Sequence, residues 1–127
     1  MNSNPLLSVI IPVYNAGKYV GNAIQSILDQ TYKNLEIFII DDGSVDNSPE
    51  VIKGFNDVRI KKFYHTENKG YLKTCNEFFK KVNGELIAFQ DADDWSDPPR
   101  IERIVNVLNE NKSIALCGCN FIRINDN

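Results

Sequence analysis

Two short runs of branched apolar residues, Leu7-Ser-Val-Ile-Ile-Pro-Val13 and Leu35-Glu-Ile-Phe-Ile-Ile40, constrain this chain more than any other feature. A strand with one face in water alternates apolar and polar residues. These runs barely alternate, so both need cover on two faces, as parallel strands have between helical layers. Each stops at polar, turn-forming residues, Tyr14-Asn-Ala-Gly17 and Asp41-Asp-Gly-Ser44. Between them Val20, Ala23, Ile24, Ile27 and Leu28 fall on one helical stripe.

The alternation continues to the end of the chain. A short helix is expected with Ser48 as N-cap and Pro49 in its first position. Arg59–Tyr64 alternates as a third strand, placed at an edge because it is the most polar. Lys69–Val82 reads as a helix facing inward through Leu72, Cys75, Phe78, Phe79 and Val82. Glu85–Gln90 is a fourth strand ending at Asp91-Ala-Asp-Asp-Trp95. Asp97 is expected to cap a helix opened by Pro98 and Pro99, with Ile101, Ile104, Val105 and Leu108 inward. Ile114–Ile124 is the expected fifth strand. The pattern predicts an α/β fold: a doubly wound, mainly parallel sheet with right-handed crossovers and helices on both faces. The chain stops directly after the fifth strand, so a sheet truncated at that point is expected.

The length of 127 residues suits one domain, 1–127. Hydrophobic residues make up 43% and charged residues 24%, which excludes disorder and coiled coil. A net charge of −3 with scattered lysines and arginines argues against a nucleic-acid or anionic-membrane surface. Leu6–Tyr14 is too short and lacks the flanks of a membrane span or signal peptide. The three cysteines are an odd count, and Cys117-Gly-Cys119 lacks zinc-knuckle spacing. Buried thiols in a reducing, cytoplasmic setting are therefore expected.

In doubly wound sheets, ligands bind beyond the carboxyl ends of the strands, where strand order reverses. Three such ends carry unusual residues: Pro12-Val-Tyr-Asn15, Asp41-Asp-Gly-Ser44 and Asp91-Ala-Asp-Asp94. Each alone is an ordinary turn or strand end. With the first strand central and the second and fourth flanking it, the three loops meet in one cleft holding up to five carboxylates, one tyrosine and one amide. Crowded carboxylates without a nearby Cys or His suit a hard cation, Mg²⁺ or Mn²⁺. His65 reads as a surface histidine, Lys73 as a solvated lysine, Trp95 as a rim residue and Cys75 as core. A nicotinamide-binding domain fails because Asn15–Val20 has no G-x-G-x-x-G, and no P-loop is present. A phosphoacceptor receiver fails because the first strand ends without an acidic pair.

Val9-Ile-Ile-Pro-Val-Tyr-Asn15, Ile40-Asp-Asp-Gly-Ser44, Asn68-x-Gly70 with Asn76, Gly84 through Asp94, and Pro99-Arg-Ile-Glu102 together resemble the family 2 glycosyltransferases of GT-A fold, over residues 7–124. The resemblance implies metal-assisted transfer of a sugar, with inversion, from a nucleotide-diphosphate sugar to a glycan or lipid-linked acceptor. It places Pro12 and Tyr14 against the nucleotide, Tyr14 stacked on the base, and Asp42 as acceptor for a ring N–H, favouring UDP. Asp91 would touch the ribose and Asp93 would hold Mn²⁺ or Mg²⁺; Asp94 would support the loop or face the donor sugar. The family often has an arginine before the Asn76 position; Cys75 stands there, which passes that contact to Lys73. The general base is expected beyond residue 127, so the chain is expected to be a donor-binding half without its acceptor-binding half. Dimerisation through the uncovered surface and peripheral attachment to the inner face of the membrane in a longer protein are further expectations. The alternative is a non-catalytic nucleotide-binding module of the same descent.

Overall fold

The computed structural model describes residues 4–125. The single-domain reading of 1–127 therefore runs at each end over residues outside the described ones. Among the described residues four strands and four helices alternate: β1 (Leu7–Val13), α1 (Val20–Leu28), β2 (Leu35–Asp41), α2 (Ser48–Lys53), β3 (Ile60–Tyr64), α3 (Tyr71–Phe79), β4 (Leu86–Phe89) and α4 (Arg100–Glu110). The strands form one sheet in the order β3-β2-β1-β4, every neighbouring pair parallel. Leu7 pairs with both Leu35 and Leu86, and Val13 with Asp41. The first strand is thus central, and strand order reverses across it.

Side chains alternate across a strand, and this sorts the core into two layers. Val9, Ile11, Ile37 and Ile39 face a layer containing Ile24 and Ile27 of α1, Ile52 of α2, and Ile101 and Val105 of α4. Ile10, Phe38 and Ile40 face Phe78 of α3 on the other side. Phe63 completes that layer, its centroid 4.6 Å from Phe78 and 5.7 Å from Phe38. Every residue of β1 and β2 is buried, as their unbroken apolar runs require.

Five expectations need correction. Residues 114–124 form no strand: Leu116, Phe121 and Ile122 are about nine-tenths exposed. Apolar residues favour a strand, but a strand exists only where a neighbour completes its hydrogen-bond ladder, and no such pairing forms among the described residues. Cys117 and Cys119 consequently are not buried, whereas Cys75 is, and all three thiols are free. Asp97 does not cap α4 through its side chain; its carbonyl oxygen accepts from Arg100 N at 2.9 Å, and Pro99 occupies the cap position. Ser48 is the first helical residue of α2, after Asn47, and its hydroxyl bonds elsewhere. Leu72 and Phe79 point outward, because α3 buries Thr74, Cys75 and Phe78 and at about 100° per residue both lie roughly a quarter-turn off that stripe.

The amino ends of the strands carry a buried polar network. Glu36, 7% exposed, accepts from Ser8 Oγ (2.5 Å), Asn83 N (2.6 Å), Asn83 Nδ2 (3.0 Å) and Lys61 Nζ (2.7 Å). Burial alone would raise its carboxyl. The hydrogen bonds from Lys61, Ser8 and Asn83 outweigh burial and lower it to about 2. A carboxylate lowered on folding stabilises above its unfolded pKa, and that stability is lost as pH falls toward the folded value. Urea midpoints should therefore fall between about pH 4.5 and pH 2 more steeply for the native chain than for Glu36→Gln, by on the order of 3 kcal/mol. Equal pH slopes for the two proteins would refute this role.

Candidate functional site

The carboxyl ends of β1, β2 and β4 open into one cleft of about 710 Å³, lined by Pro12, Tyr14, Asp42, Tyr71, Asp91 and Asp93 among others. Two loops build its first wall by bonding each other. Asn15, held at φ 48°, donates through its backbone N–H to Ser44 Oγ (2.9 Å) and accepts from Val45 N at Oδ1 (2.9 Å). Ser48 Oγ accepts from Ala16 N, and Asp46 Oδ2 from Gly17 N, both at 2.9 Å. Tyr14, between these anchors, is 49% exposed and presents its ring to the cleft.

Asp42 occupies a different environment from Asp41. Asp41 is buried and spends Oδ2 on Ser44 N (3.1 Å), closing the turn rather than lining the cleft. The Asp42 carboxylate lines the cleft while buried to 3% exposure. Its Oδ1 contacts His65 Nδ1 (2.7 Å) and accepts from Lys69 N (3.0 Å), and its Oδ2 accepts from Gly70 N (2.9 Å). Burial pushes this carboxyl up, but the bonds from His65, Lys69 and Gly70, with the Thr74 hydroxyl close by, win and hold it below the ordinary range. That hydroxyl is itself buried without a well-formed hydrogen bond. The 65–70 loop reaches Asp42 because Gly70 adopts φ 91° and donates also to Asn68 Oδ1 (2.8 Å).

The third loop follows β4. One carboxylate oxygen from each of Asp91, Asp93 and Asp94 lies within 4.8 Å of the other two. Burial and then the charges of Asp93 and Asp91 raise the Asp94 carboxyl, with Arg100 pulling the other way. Three hard oxygen donors that repel one another fit a divalent cation of the Mg²⁺ or Mn²⁺ type. The loop is tied down by amides. Buried Gln30 donates from Nε2 to Asp97 O (2.8 Å) and accepts from Ile101 N at Oε1 (2.9 Å). Gln90 Oε1 accepts from Ser96 Oγ (2.6 Å) and Arg100 Nη1 (3.0 Å).

Of the residues singled out from sequence, Pro12, Tyr14, Asp42, Asp91 and Asp93 share the cleft, and Asp94 sits in the adjoining acidic cluster. Lys73 is exposed on α3 and is not among the lining residues. Trp95 borders a separate depression against Asn22, Gln25, Ser26 and Asp29 of α1. His65 is the main surprise: its side chain is 8% exposed, not on the surface. Tyr71 was equally invisible in the sequence pattern. Burial, Cys75 and Asp91 push its phenol up to about 12, which keeps it a proton donor at the cleft wall. Cys75 is raised by burial and by Asp91, against the pull of Tyr71, and stays a thiol.

Comparison with known proteins extends this geometry. An uncharacterized glycosyltransferase of Haemophilus influenzae is 38% identical over 116 residues, spanning 90% of this chain and 46% of its own length. The chain thus spans less than half the length of the curated relatives it matches. The crystal structure of S. aureus TarS 1-349 in complex with UDP-GlcNAc superposes over 82% of this chain and 31% of the TarS 1-349 chain, with TM-score 0.76 and 27% identity. The mannosyltransferase PcManGT from Pyrobaculum calidifontis, in complex with GDP-Man and Mn²⁺, gives TM-score 0.71 at 25% identity, over 82% of this chain and 31% of its own. No helix among the described residues is long and apolar enough to cross a membrane. The model of the family described as Glycosyl transferase family 2 matches residues 8–127. With that match over a cleft of the same α/β architecture, the chain belongs to glycosyl transferase family 2.

Proposed function

We propose that this chain is the donor-binding half of a glycosyltransferase and that its cleft holds a nucleotide-diphosphate sugar, UDP-linked in preference to GDP-linked. The observation that carries the reading is the convergence, at one cleft, of a half-exposed tyrosine ring, an immobilised carboxylate and two aspartates of an acidic triplet whose third member adjoins it. Tyr14, with Pro12 beside it, stacks on the base. Asp42, kept ionised by bonds from the 65–70 loop, accepts a ring N–H. Asp91 accepts from the ribose, and Lys73, exposed on α3 outside the cleft lining, would have to turn its side chain toward the cleft to meet the phosphates. Two solved neighbours carry such donors, UDP-GlcNAc in one and GDP-Man with Mn²⁺ in the other.

Asp93, with Asp91 and Asp94 beside it, would hold Mn²⁺ or Mg²⁺. When bound, the ion offsets the negative charge of the diphosphate leaving group. In the whole protein the acceptor hydroxyl attacks the anomeric carbon and the bond to the diphosphate breaks with inversion. A general base takes the hydroxyl proton. We place that base beyond residue 127, in the greater length that the relatives have, together with the acceptor site for a glycan or lipid-linked sugar.

Calorimetric titration of UDP and GDP, with and without Mn²⁺, tests the donor site. UDP binding that requires Mn²⁺ and weakens by about tenfold or more in Asp93→Asn is the expected result. Failure of both nucleotides to bind, or binding indifferent to Mn²⁺ and to Asp93, would sink the reading.

A further inference from the structure

We propose that His65 is a positioning residue for the nucleotide pocket: its imidazole holds the Asp42 carboxylate in the orientation that the base meets. The inference rests on the reading of Asp42 as a base contact, and it adds a residue with no direct contact to the cleft. His65 follows β3, and its backbone N–H donates to Asp41 O (2.8 Å), so the chain delivers the ring to the end of β2. Nδ1 then lies 2.7 Å from Asp42 Oδ1. On its far side Nε2 lies 3.3 Å from Glu77 Oε2 of α3, and the ring rests near Phe78, centroid to centroid 6.2 Å. The imidazole is therefore bonded to one carboxylate, lies beside a second without a hydrogen bond to it, and rests near an aromatic ring.

The groups facing it come from three elements. Asp41 and Asp42 approach from β2 and the turn after it, and Glu77 from α3. Lys69 belongs to the loop between β3 and α3. Glu77 is itself paired with Lys69 Nζ (3.1 Å) and Lys81 Nζ (2.7 Å), which hold its carboxylate in place. Lys69 acts at both ends of the array, because its backbone N–H also donates to Asp42. An ionised Asp42 offers only acceptors, so the bond at 2.7 Å requires the proton on His65 Nδ1. That assignment follows from the partner's chemistry and can be observed directly.

Three measurements decide the matter. A long-range proton–nitrogen NMR spectrum of the native chain should show His65 protonated at Nδ1 at neutral pH; an unprotonated Nδ1 overturns the proposal without any variant being made. Carbon-detected titration of the Asp42 carboxyl should move to higher pH in His65→Leu and return toward the native value in His65→Asn, whose amide N–H can stand where Nδ1 does. An Asp42 titration unchanged in His65→Leu overturns it. UDP affinity should fall by about tenfold in His65→Leu and recover in His65→Asn, while Mn²⁺ binding alone stays at the native level in both. If Asn and Leu weaken UDP equally although both fold, the role is packing and the proposal fails. Native protein that binds no UDP would instead refute the nucleotide reading, and the two NMR measurements would still judge the grip of His65 on Asp42.

Discussion

Gly43→Ala is expected to destabilise the chain by about 3 kcal/mol and to abolish nucleotide binding. Gly43 sits at φ 72°, in the turn directly after Asp42, where an L side chain is strained before any contact is counted. Contact adds to the strain. A Cβ there would stand 2.6 Å from Glu67 C and 2.7 Å from Asn68 N, and both are backbone atoms that no rotamer change can move. Relief requires lifting the 65–70 loop. That movement would draw the N–H groups of Lys69 and Gly70 away from Asp42 and loosen His65 with them. Urea unfolding and a UDP titration on the same preparation measure the two effects. A Gly43→Ala protein of native stability that still binds UDP would show that the loop does not need this close approach.

Gln30→Leu should cost a similar amount, about 3 kcal/mol, through orphaned backbone groups rather than strain. Gln30 is fully buried where α1 ends, and one amide serves several elements at once. Its Nε2 donates to Ser26 O (3.0 Å) within the helix and to Asp97 O (2.8 Å) across the fold, while Oε1 takes the N–H of Ile101 in the first turn of α4. Leucine fills the volume but satisfies none of these. The stranded N–H of Ile101 then bears the desolvation cost, while Asp97 O loses one of its two donors and keeps Arg100 N. The effect should reach the site, because the 91–97 loop is held through Ser96, which donates from N to Ser26 Oγ (3.0 Å) and from Oγ to Gln90. Weaker Mn²⁺ binding should accompany the lower unfolding midpoint. Native stability in Gln30→Leu would mean that water or rearranged backbone replaces the amide.

These expectations mark where sequence and tertiary structure divide. The type and order of the first eight elements, the central position of β1, the edge position of β3 and the meeting of three strand-end loops were all legible, because burial on two faces writes unbroken apolar runs and helical burial writes a stripe. Family membership was legible too, from motifs at those same loops. The roles of Asp41 and Asp42 were not. Two adjacent aspartates look alike in sequence, yet a strand's alternation and the approach of the 65–70 loop bury both, one closing a turn and the other facing the cleft. His65 read as a surface residue because its partners, Asp42 and Glu77, lie 23 and 12 positions away and no local pattern announces them.

By itself, then, the sequence determined the α/β class, the order of the first eight elements and the loops that meet at the cleft, since each depends on periodicity and on the turn chemistry of neighbouring residues. Only the tertiary structure decided that Gln30 and Gln90 anchor the acidic loop, that Glu36 closes a network at the far end of the sheet, and that residues 114–124 stay unpaired despite their apolar character. Each of those outcomes depends on a partner distant in the chain. A hydrogen-bond ladder or a buried amide is satisfied by whichever group the fold brings within about 3 Å, and spacing along the sequence does not specify that group.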